Sequence, residues 1–589
     1  MIRSKITGLA ALGATAALTL AACGGSGGSS GSNSSSTSTS YGQGLTSIIN
    51  PSNTPSSGTL TFDLSNTPDS TDYQNTYYAF MWNFVRLYSM QLLTYKSCPG
   101  ACGEQLVPQL ATGPGVPSNN DTVWTYHIKP NVKFENGHTV TSADVKYGVE
   151  RTFAKSVLPN GPSYYQVLLK DNKYPGPYTD RAKNVMGLTS VTTPNATTIQ
   201  FHLSQPFADF DYVVAIPQST PVEPAWDTGK YGGANFQLHP ESTGPYEFQS
   251  YTLNKQITLV KNPNWNASTD TEAKQLVNKI VVNLNVSANT VDNNLMSNYA
   301  DIDMAGTGVQ TAARSKILTQ PSLKGLADDP ISGFLRFAYI NTKVIPNVHC
   351  REAIEYAANK TSIQDAWGGP VVGGDIASTV IPPTVIGFQK FDLFNALSQP
   401  GGDIAAAKQQ LKLCGKPSGF TTGLAYRTDR PQEVAAAQAL QASLQQVGIK
   451  ANLQGYLSGK YYTDFAGAPA YVHAHDLGIS QGGWGPDWPD GYGFLDELSN
   501  GNTIVPAGNT NISEINDKSI NSLFATAAGQ NNTAARTAIW PQIDKKIMGM
   551  AAILPEVYQK VLLYRNPNVT NVYFDRPFGM YNYAVLGLK

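Results

Sequence analysis

The residues of this 589-residue chain best suited to chemistry fall in a few short stretches. Gly478-Ile479-Ser480-Gln481-Gly482 fits the G-x-S-x-G of a nucleophile elbow, where a strand-to-helix turn exposes a serine to a histidine base. The surroundings oppose that reading. Gly482-Gly483-Trp484-Gly485-Pro486 cannot begin a helix, and no histidine follows His475 to complete a Ser–Asp–His order. The match is accidental, and no catalytic residue is assigned. Just upstream, His473-Ala474-His475-Asp476 offers three metal-ligand types, and on a strand His473 and His475 would share a face. A polar surface strand explains the same residues, so neither a metal nor any other cofactor is assigned.

The cysteines are more informative. Arg3 and Lys5 precede an uncharged apolar run, Ile6 to Ala22, too short and too rich in Gly and Ala to span a bilayer comfortably. This is the pattern of a signal peptide over residues 1–22. It ends in Leu20-Ala21-Ala22-Cys23, which looks like a bacterial lipobox, whose cysteine thiol receives a diacylglycerol. The plainer alternative is an ordinary cleavage site that happens to precede a cysteine. Gly24 to Ser40 contains only Gly, Ser, Thr and one Asn, which can bury nothing in return for being ordered. Residues 23–57 are therefore expected to be a lipidated cysteine and its tether, with a reach of roughly 30 Å. Two or more acyl chains on Cys23 would make the anchorage stable.

Four cysteines remain, and an even number in an exported chain reads as two disulfides with three possible connectivities. Cys98-Pro-Gly-Ala-Cys102 is a tight turn that could close on itself, which would leave Cys350 for Cys414. A zinc site would want a second close Cys or His pair, which is absent.

Alternating periods describe the elements that must position these groups. Trp124, Tyr126 and Ile128 alternate with polar residues as a strand ended by Pro130; Ile199, Phe201 and Leu203 make another, and Ile280, Val282, Leu284 and Val286 a third. Thr141-Ser142-Ala143-Asp144 reads as a capping box before Val145, Val149 and Phe153 at helical spacing. Asp403 could cap a helix carrying Ile404, Ala407 and Leu411. Ala437, Leu440, Leu444 and Val447 form a second amphipathic helix stopped by Gly448, with a strand of Ile449, Ala451 and Leu453 behind it. Such runs predict α/β layers. The formal charge of −1 gives no sign of a nucleic-acid partner. Few charges (14%) with abundant aromatics (10%) suit a secreted protein that handles peptides or carbohydrates.

Five blocks in order carry a family resemblance. Leu106-Val107-Pro108-Gln109-Leu110-Ala111, with DTVWTYHIKPNVKFENGHTVTSADVKYGVER after it, is the first. Ser242-Thr243-Gly244-Pro245-Tyr246-Glu247-Phe248 with Ile257-Thr258-Leu259-Val260-Lys261-Asn262-Pro263-Asn264-Trp265 follows, then FLRFAYINTK, then CREAIEYAANKTSI, and finally Gly483-Trp484-Gly485-Pro486-Asp487-Trp488-Pro489-Asp490. From about Gly58 onward the chain resembles the extracellular solute-binding proteins of family 5, the oligopeptide-, dipeptide- and nickel-binding lipoproteins of ABC importers. Two departures stand out: Asp490 is followed by Gly491 where Pro is common, and Asn359 occupies a usually acidic position.

The resemblance implies an α/β, two-lobed, periplasmic-binding-protein-like fold of type II, with an extra subdomain and a ligand cleft between the lobes. Lobe I would comprise residues 58–96, 239–336 and 555–589, the subdomain 97–238, and lobe II 337–554, which places Cys350 and Cys414 together. It further implies a binding protein, not an enzyme, that closes around a small solute and delivers it to an ABC permease. Oligopeptide or dipeptide is the expected cargo; a metal chelate, a sugar or another polar solute is the alternative. A secreted hydrolase or a sensory lipoprotein is the reading from another class. Asp487 would meet a peptide's α-ammonium and Trp484 would line a side-chain pocket, with Asp72, Tyr73, Tyr339 and Asn341 as further candidates. The protein would act as a monomer, lipid-anchored at the outer face of the cytoplasmic membrane of a Gram-positive or actinobacterial type of envelope.

Overall fold

A computed structural model describes residues 42–171, 173–180 and 187–589. The expected signal peptide, the lipidation at Cys23 and the Gly/Ser run to Ser40 lie outside the described residues.

Three principal sheets organise the body. The first holds, in spatial order, Ile302–Asp303, Ser56–Asp63, Val277–Asn283, Gln256–Lys261 and Tyr246–Thr252. Phe62 stands opposite Val282 in its parallel centre, and Phe62, Leu259 and Val282 pack on Phe84 and Tyr88. The predicted third strand stops at Asn283, short of Val286, because Asn285 turns the chain with a positive φ.

The second sheet is antiparallel: Val116–Ser118, Val123–His127, Thr198–His202 and Val191–Asn195. Its buried side carries Trp124, Tyr126, Ile199 and Phe201, as their alternation predicts. Against it lies the helix Ser142–Arg151, held by the predicted capping box of Thr141 and Asp144. Val145 and Val149 join the same core.

The third sheet has six strands: Asp375–Ile376, Ile553–Lys560, Ile331–Ile340, Ile479–Trp484, Thr421–Arg427 and Lys450–Tyr456. Both of its faces are covered. Phe337 and Tyr339 enter one apolar cluster while Ala338 and Ile340 enter the other, the period-2 signature of a buried central strand. Asp403 caps the helix Ile404–Leu413 by accepting the Ala406 N–H at 2.9 Å. The helix Pro431–Gln445 buries Ala437, Leu440 and Leu444, and Gly448 (φ +87°) turns the chain into the next strand.

Both disulfides form with the local pairing: Cys98 with Cys102 and Cys350 with Cys414, the second tying the helix Val348–Ala357 to the end of Ile404–Leu413. The lobe II sheet is longer than the expected boundaries. Its crossing strand begins at Ile331 rather than Phe337, and its return strand runs to Lys560 rather than ending at Leu554. The chain from Gly42 onward also differs from the expected tether: Gly44 is buried, Leu45 packs on the lobe I core, and Ile49 bridges to Val572. No described helix is long and apolar enough to cross a membrane.

Candidate ligand-binding cleft

The chain passes between the first and third sheets twice, just after Ala327–Asp328 and just before Leu563–Tyr564. These short strands pair antiparallel, Ala327 with Tyr564 and Asp328 with Leu563. Buried Asp328 knits this pivot together. It accepts hydrogen bonds from the Gly44 N–H (2.8 Å) and the Tyr581 hydroxyl (2.6 Å), and it pairs with Arg565.

Between the lobes lies a cavity of about 540 Å³. Lobe I contributes Tyr77, Trp82 and Tyr95; lobe II contributes Trp484, Asp487 and Glu497. Tyr77 stacks on Trp82 with ring centroids 5.6 Å apart, and Asp69 accepts hydrogen bonds from the Tyr77 N–H and the Thr76 hydroxyl, which fixes the loop. The chain before Asp487 is shaped by glycine. A Cβ at Gly482 would run into the Tyr339 ring and one at Gly485 into Phe334.

Asp487 is the polar focus of the cavity. The Tyr77 hydroxyl donates to it across the lobes at 2.9 Å, and Tyr164 of the subdomain donates to the same oxygen. Burial pushes its carboxyl up to about 7; the two phenols pull it down, and nearby Glu497 raises it. Glu497, also raised by burial, accepts a hydrogen bond from the Thr510 hydroxyl at 2.9 Å.

Outside the cavity the lobes also touch. Arg536 pairs with Asp209 of the subdomain at 2.8 Å, both side chains being buried, and the Ala208 N–H donates to the Ala528 carbonyl at 2.8 Å. Trp488, only 1% exposed, sits in the subdomain's apolar cluster between Tyr164 and Tyr212. Phe207 meets Tyr492 edge-on at 5.0 Å. The structure is therefore that of a closed pair of lobes.

Of the residues singled out from the sequence, Asp487 and Trp484 line the cavity together. The other four do not. Asp72 is bound by both terminal nitrogens of Arg151, whose Nε holds Asp227, and Tyr73 donates to the Glu241 carbonyl at 3.2 Å. Tyr339 lies inside lobe II against Phe337. Asn341 donates to the Ile512 carbonyl and to Glu514 while accepting the N–H groups of Lys343 and Val344. The polar atoms of Asp72, Tyr73 and Asn341 serve the fold.

The suspected chemical motifs also resolve. Ser480 is 1% exposed in mid-strand, between Tyr339 and Ala425, with none of the exposure an elbow needs. The histidine pair is not on a strand: His473 lies in the last turn of the helix Pro469–Ala474 and pairs with Glu514 at 2.7 Å, while His475, just past the helix, stacks on Tyr471. Among the described residues no group of three His, Cys, Asp or Glu side chains could hold a metal ion. The Gly491 departure has a steric cause, because a Cβ there would enter the Trp540 indole, whose N–H donates to Asp490 at 3.1 Å. Asn359 caps the helix Lys360–Trp367 through the Ser362 N–H.

Sequence reasoning missed Tyr77, Trp82, Tyr95, Tyr164 and Glu497. The aromatic run from Tyr77 to Trp82 was a usable signal; the partnership of Tyr164 with Asp487, 323 positions apart, was not.

Two α/β lobes, two crossings and an interlobe cavity define a type II solute-binding protein. Comparison with known families agrees: residues 105–504 match the model of the bacterial extracellular solute-binding proteins, family 5, and the chain belongs to that family. It is a family of transporter solute-binding proteins, not of enzymes. The chain is similar to a solved structure named "Clavulanic acid biosynthesis oligopeptide binding protein 2", with a TM-score of 0.89, 36% identity, and coverage of 93% of this chain and 98% of that one. It is 26% identical to heme-binding protein A of Haemophilus influenzae, over 78% of this chain and 80% of that protein. It is 24% identical to the "Probable D,D-dipeptide-binding periplasmic protein DdpA" of Escherichia coli, over 87% and 89%.

Proposed function

We infer that the protein binds a short peptide through its terminal ammonium and delivers it to an ABC permease. The observation that carries this reading is Asp487, a carboxylate in the interlobe cavity whose own hydrogen-bond partners are neutral phenols. A carboxylate removed from water calls for a cation, since an uncompensated buried charge costs several kcal/mol. The ligand's ammonium supplies it on closure. Trp484 bounds the pocket for the adjoining side chain. The oligopeptide- and dipeptide-binding names of the similar proteins support peptide as cargo.

The lipobox at Leu20-Ala21-Ala22-Cys23 supports attachment to the outer face of the cytoplasmic membrane, with the Gly/Ser run as a leash and the protein acting as a monomer. A second reading, a planar chelate or another polar solute as cargo, is favoured by the aromatic walls of the cavity and by the heme-binding name of one relative. Thermal-shift titration with di- to pentapeptides separates the two when repeated on Asp487→Ala. Peptide stabilisation that disappears in the variant is expected; stabilisation that persists unchanged removes Asp487 from the site. Native mass spectrometry showing a chelate or sugar and no peptide would overturn the cargo.

A further inference from the structure

The charged groups around the cavity do not balance. Arg86 lines it but is committed to Asp575 at 3.0 Å, with both side chains buried, and Arg576 is paired with Glu104 at 2.9 Å. Asp487 and Glu497 line it too, and both rest on neutral hydroxyls: Tyr77 and Tyr164 for the first, Thr510 for the second. Among the described residues no cationic side chain pairs with either. Closure thus brings two uncompensated carboxylates into one cavity, and a single ammonium answers only one of them.

Two further observations describe the cavity that both carboxylates line. Tyr95 is 4% exposed and lines the same cavity, and its buried hydroxyl meets no hydrogen-bond partner, which leaves a polar group unsatisfied in the cavity wall. The walls beside the carboxylates are aromatic, with the stacked pair Tyr77 and Trp82 prominent, and ring faces attract ammonium and guanidinium groups at close range. Carboxylate, phenol and ring face together make surroundings for a cation, not for an apolar or acidic side chain.

We propose that Glu497 forms a second cation subsite beside Asp487, so that the preferred ligands carry two positive groups at one end: a peptide whose first residue is Lys or Arg. This rests on the peptide reading for the identity of the first cation. The subsite itself is a statement about the cavity and holds for any solute that presents two cations a few ångströms apart. The same geometry works against ligands with an acidic first residue, which would place a third negative charge in the closed cavity.

Calorimetry on the purified protein tests the proposal with Lys-Ala-Ala, norleucine-Ala-Ala and Glu-Ala-Ala. Norleucine keeps the length of the lysine stem and lacks its amine, so the wild-type comparison needs no variant to fold. Lys-Ala-Ala is expected to bind at least about tenfold tighter than norleucine-Ala-Ala, with Glu-Ala-Ala weakest, and Glu497→Gln is expected to reduce the Lys-to-norleucine ratio to within about threefold. Equal binding of the first two peptides by the wild-type protein, or a ratio unchanged in Glu497→Gln, overturns the subsite. If no tripeptide binds, the peptide reading fails, and 1,4-diaminobutane against butylamine decides the subsite alone. A preference for the diamine that Glu497→Gln abolishes supports it; binding of neither amine, or equal binding of both, overturns it.

Discussion

Replacing Arg536 with alanine tests whether the contacts outside the cavity set ligand affinity. Arg536 and Asp209 pair at 2.8 Å with side-chain exposures of 9% and 2%. Removing one partner of a buried pair generally costs about 3–5 kcal/mol, because the other charge stays desolvated. Here the protein has two escapes. Opening the lobes returns Asp209 to water, and its carboxyl is already raised, by burial first and by Asp490 next, so protonation relieves part of the penalty. A net cost of about 2 kcal/mol therefore falls on the closed form and little of it on folding. At tenfold per about 1.4 kcal/mol, the closed-to-open ratio drops about thirtyfold, and ligand Kd rises by up to the same factor. Calorimetry gives Kd, and small-angle scattering of the ligand-free protein reports a larger radius of gyration. Adding Asp209→Ala to Arg536→Ala removes the stranded carboxylate and should recover part of the lost affinity. An unchanged Kd in Arg536→Ala, or a double variant no better than the single, refutes the reasoning.

Ligand binding and stability should respond to pH in opposite directions. The Asp487 carboxyl stands near 7 in the folded protein against an ordinary 3.8, so the fold takes up this proton as pH falls through 7, while the unfolded chain waits until about 4. Asp496, Asp544 and Glu556, each pushed up to about 7 chiefly by burial, act in the same sense. The melting temperature of the ligand-free protein should rise between about pH 8 and pH 6, while affinity for a cationic ligand, which needs the Asp487 anion, falls as pH drops below about 7; a flat affinity profile between about pH 8 and pH 5.5 counts against Asp487. The Cys350–Cys414 bond spans 64 positions and Cys98–Cys102 only 4, so serine pairs at the two sites should lower denaturant stability by about 4 and about 2 kcal/mol respectively. Gly482→Ala should cost about 1–3 kcal/mol by driving a methyl group into Tyr339, measured as a shift in urea midpoint. Cys23→Ala should release the protein from the membrane fraction into the medium, read by blotting the two fractions; retention on the membrane removes the lipid anchor.

The parts of the fold legible in the sequence are those set by local periodicity. The capping box at Thr141, the Asp403 cap and the alternating strands around Tyr126 and Phe201 all form as their spacing dictates, because each depends on residues within a turn or two. The Trp-Asp block likewise led to two residues that line the interlobe cavity, Asp487 and Trp484. Asp72 and Asn341 were misleading for a common reason: a polar residue in a loop reads the same whether it faces a cleft or holds the framework. Only the three-dimensional partner decides, here Arg151 for Asp72 and the Ile512 carbonyl for Asn341. Glu497 was invisible because it sits on the amphipathic helix Gly491–Ser499, where an acidic residue looks like ordinary solvent-facing surface. The histidine pair failed on period: two residues apart share a face on a strand, but His473 is in the last turn of the helix Pro469–Ala474 and His475 is just past its end.

The docking of the first described residues beside the pivot bears on the lipid anchor proposed above. The Gly42 N–H donates to the Ala327 carbonyl at 3.1 Å, and the Gly44 N–H to Asp328, beside the paired crossing strands. Gly42 and Gly44 thus meet the hinge post, and the chain goes on from there to pack Leu45 and Ile49 against lobe I. If the protein is anchored through Cys23 as proposed above, a pull would enter the body beside the axis of closure and act on a short lever arm. Under that proposal the outer edges of both lobes would remain available to a permease, and capture of the solute would be governed by the cavity and its closing contacts.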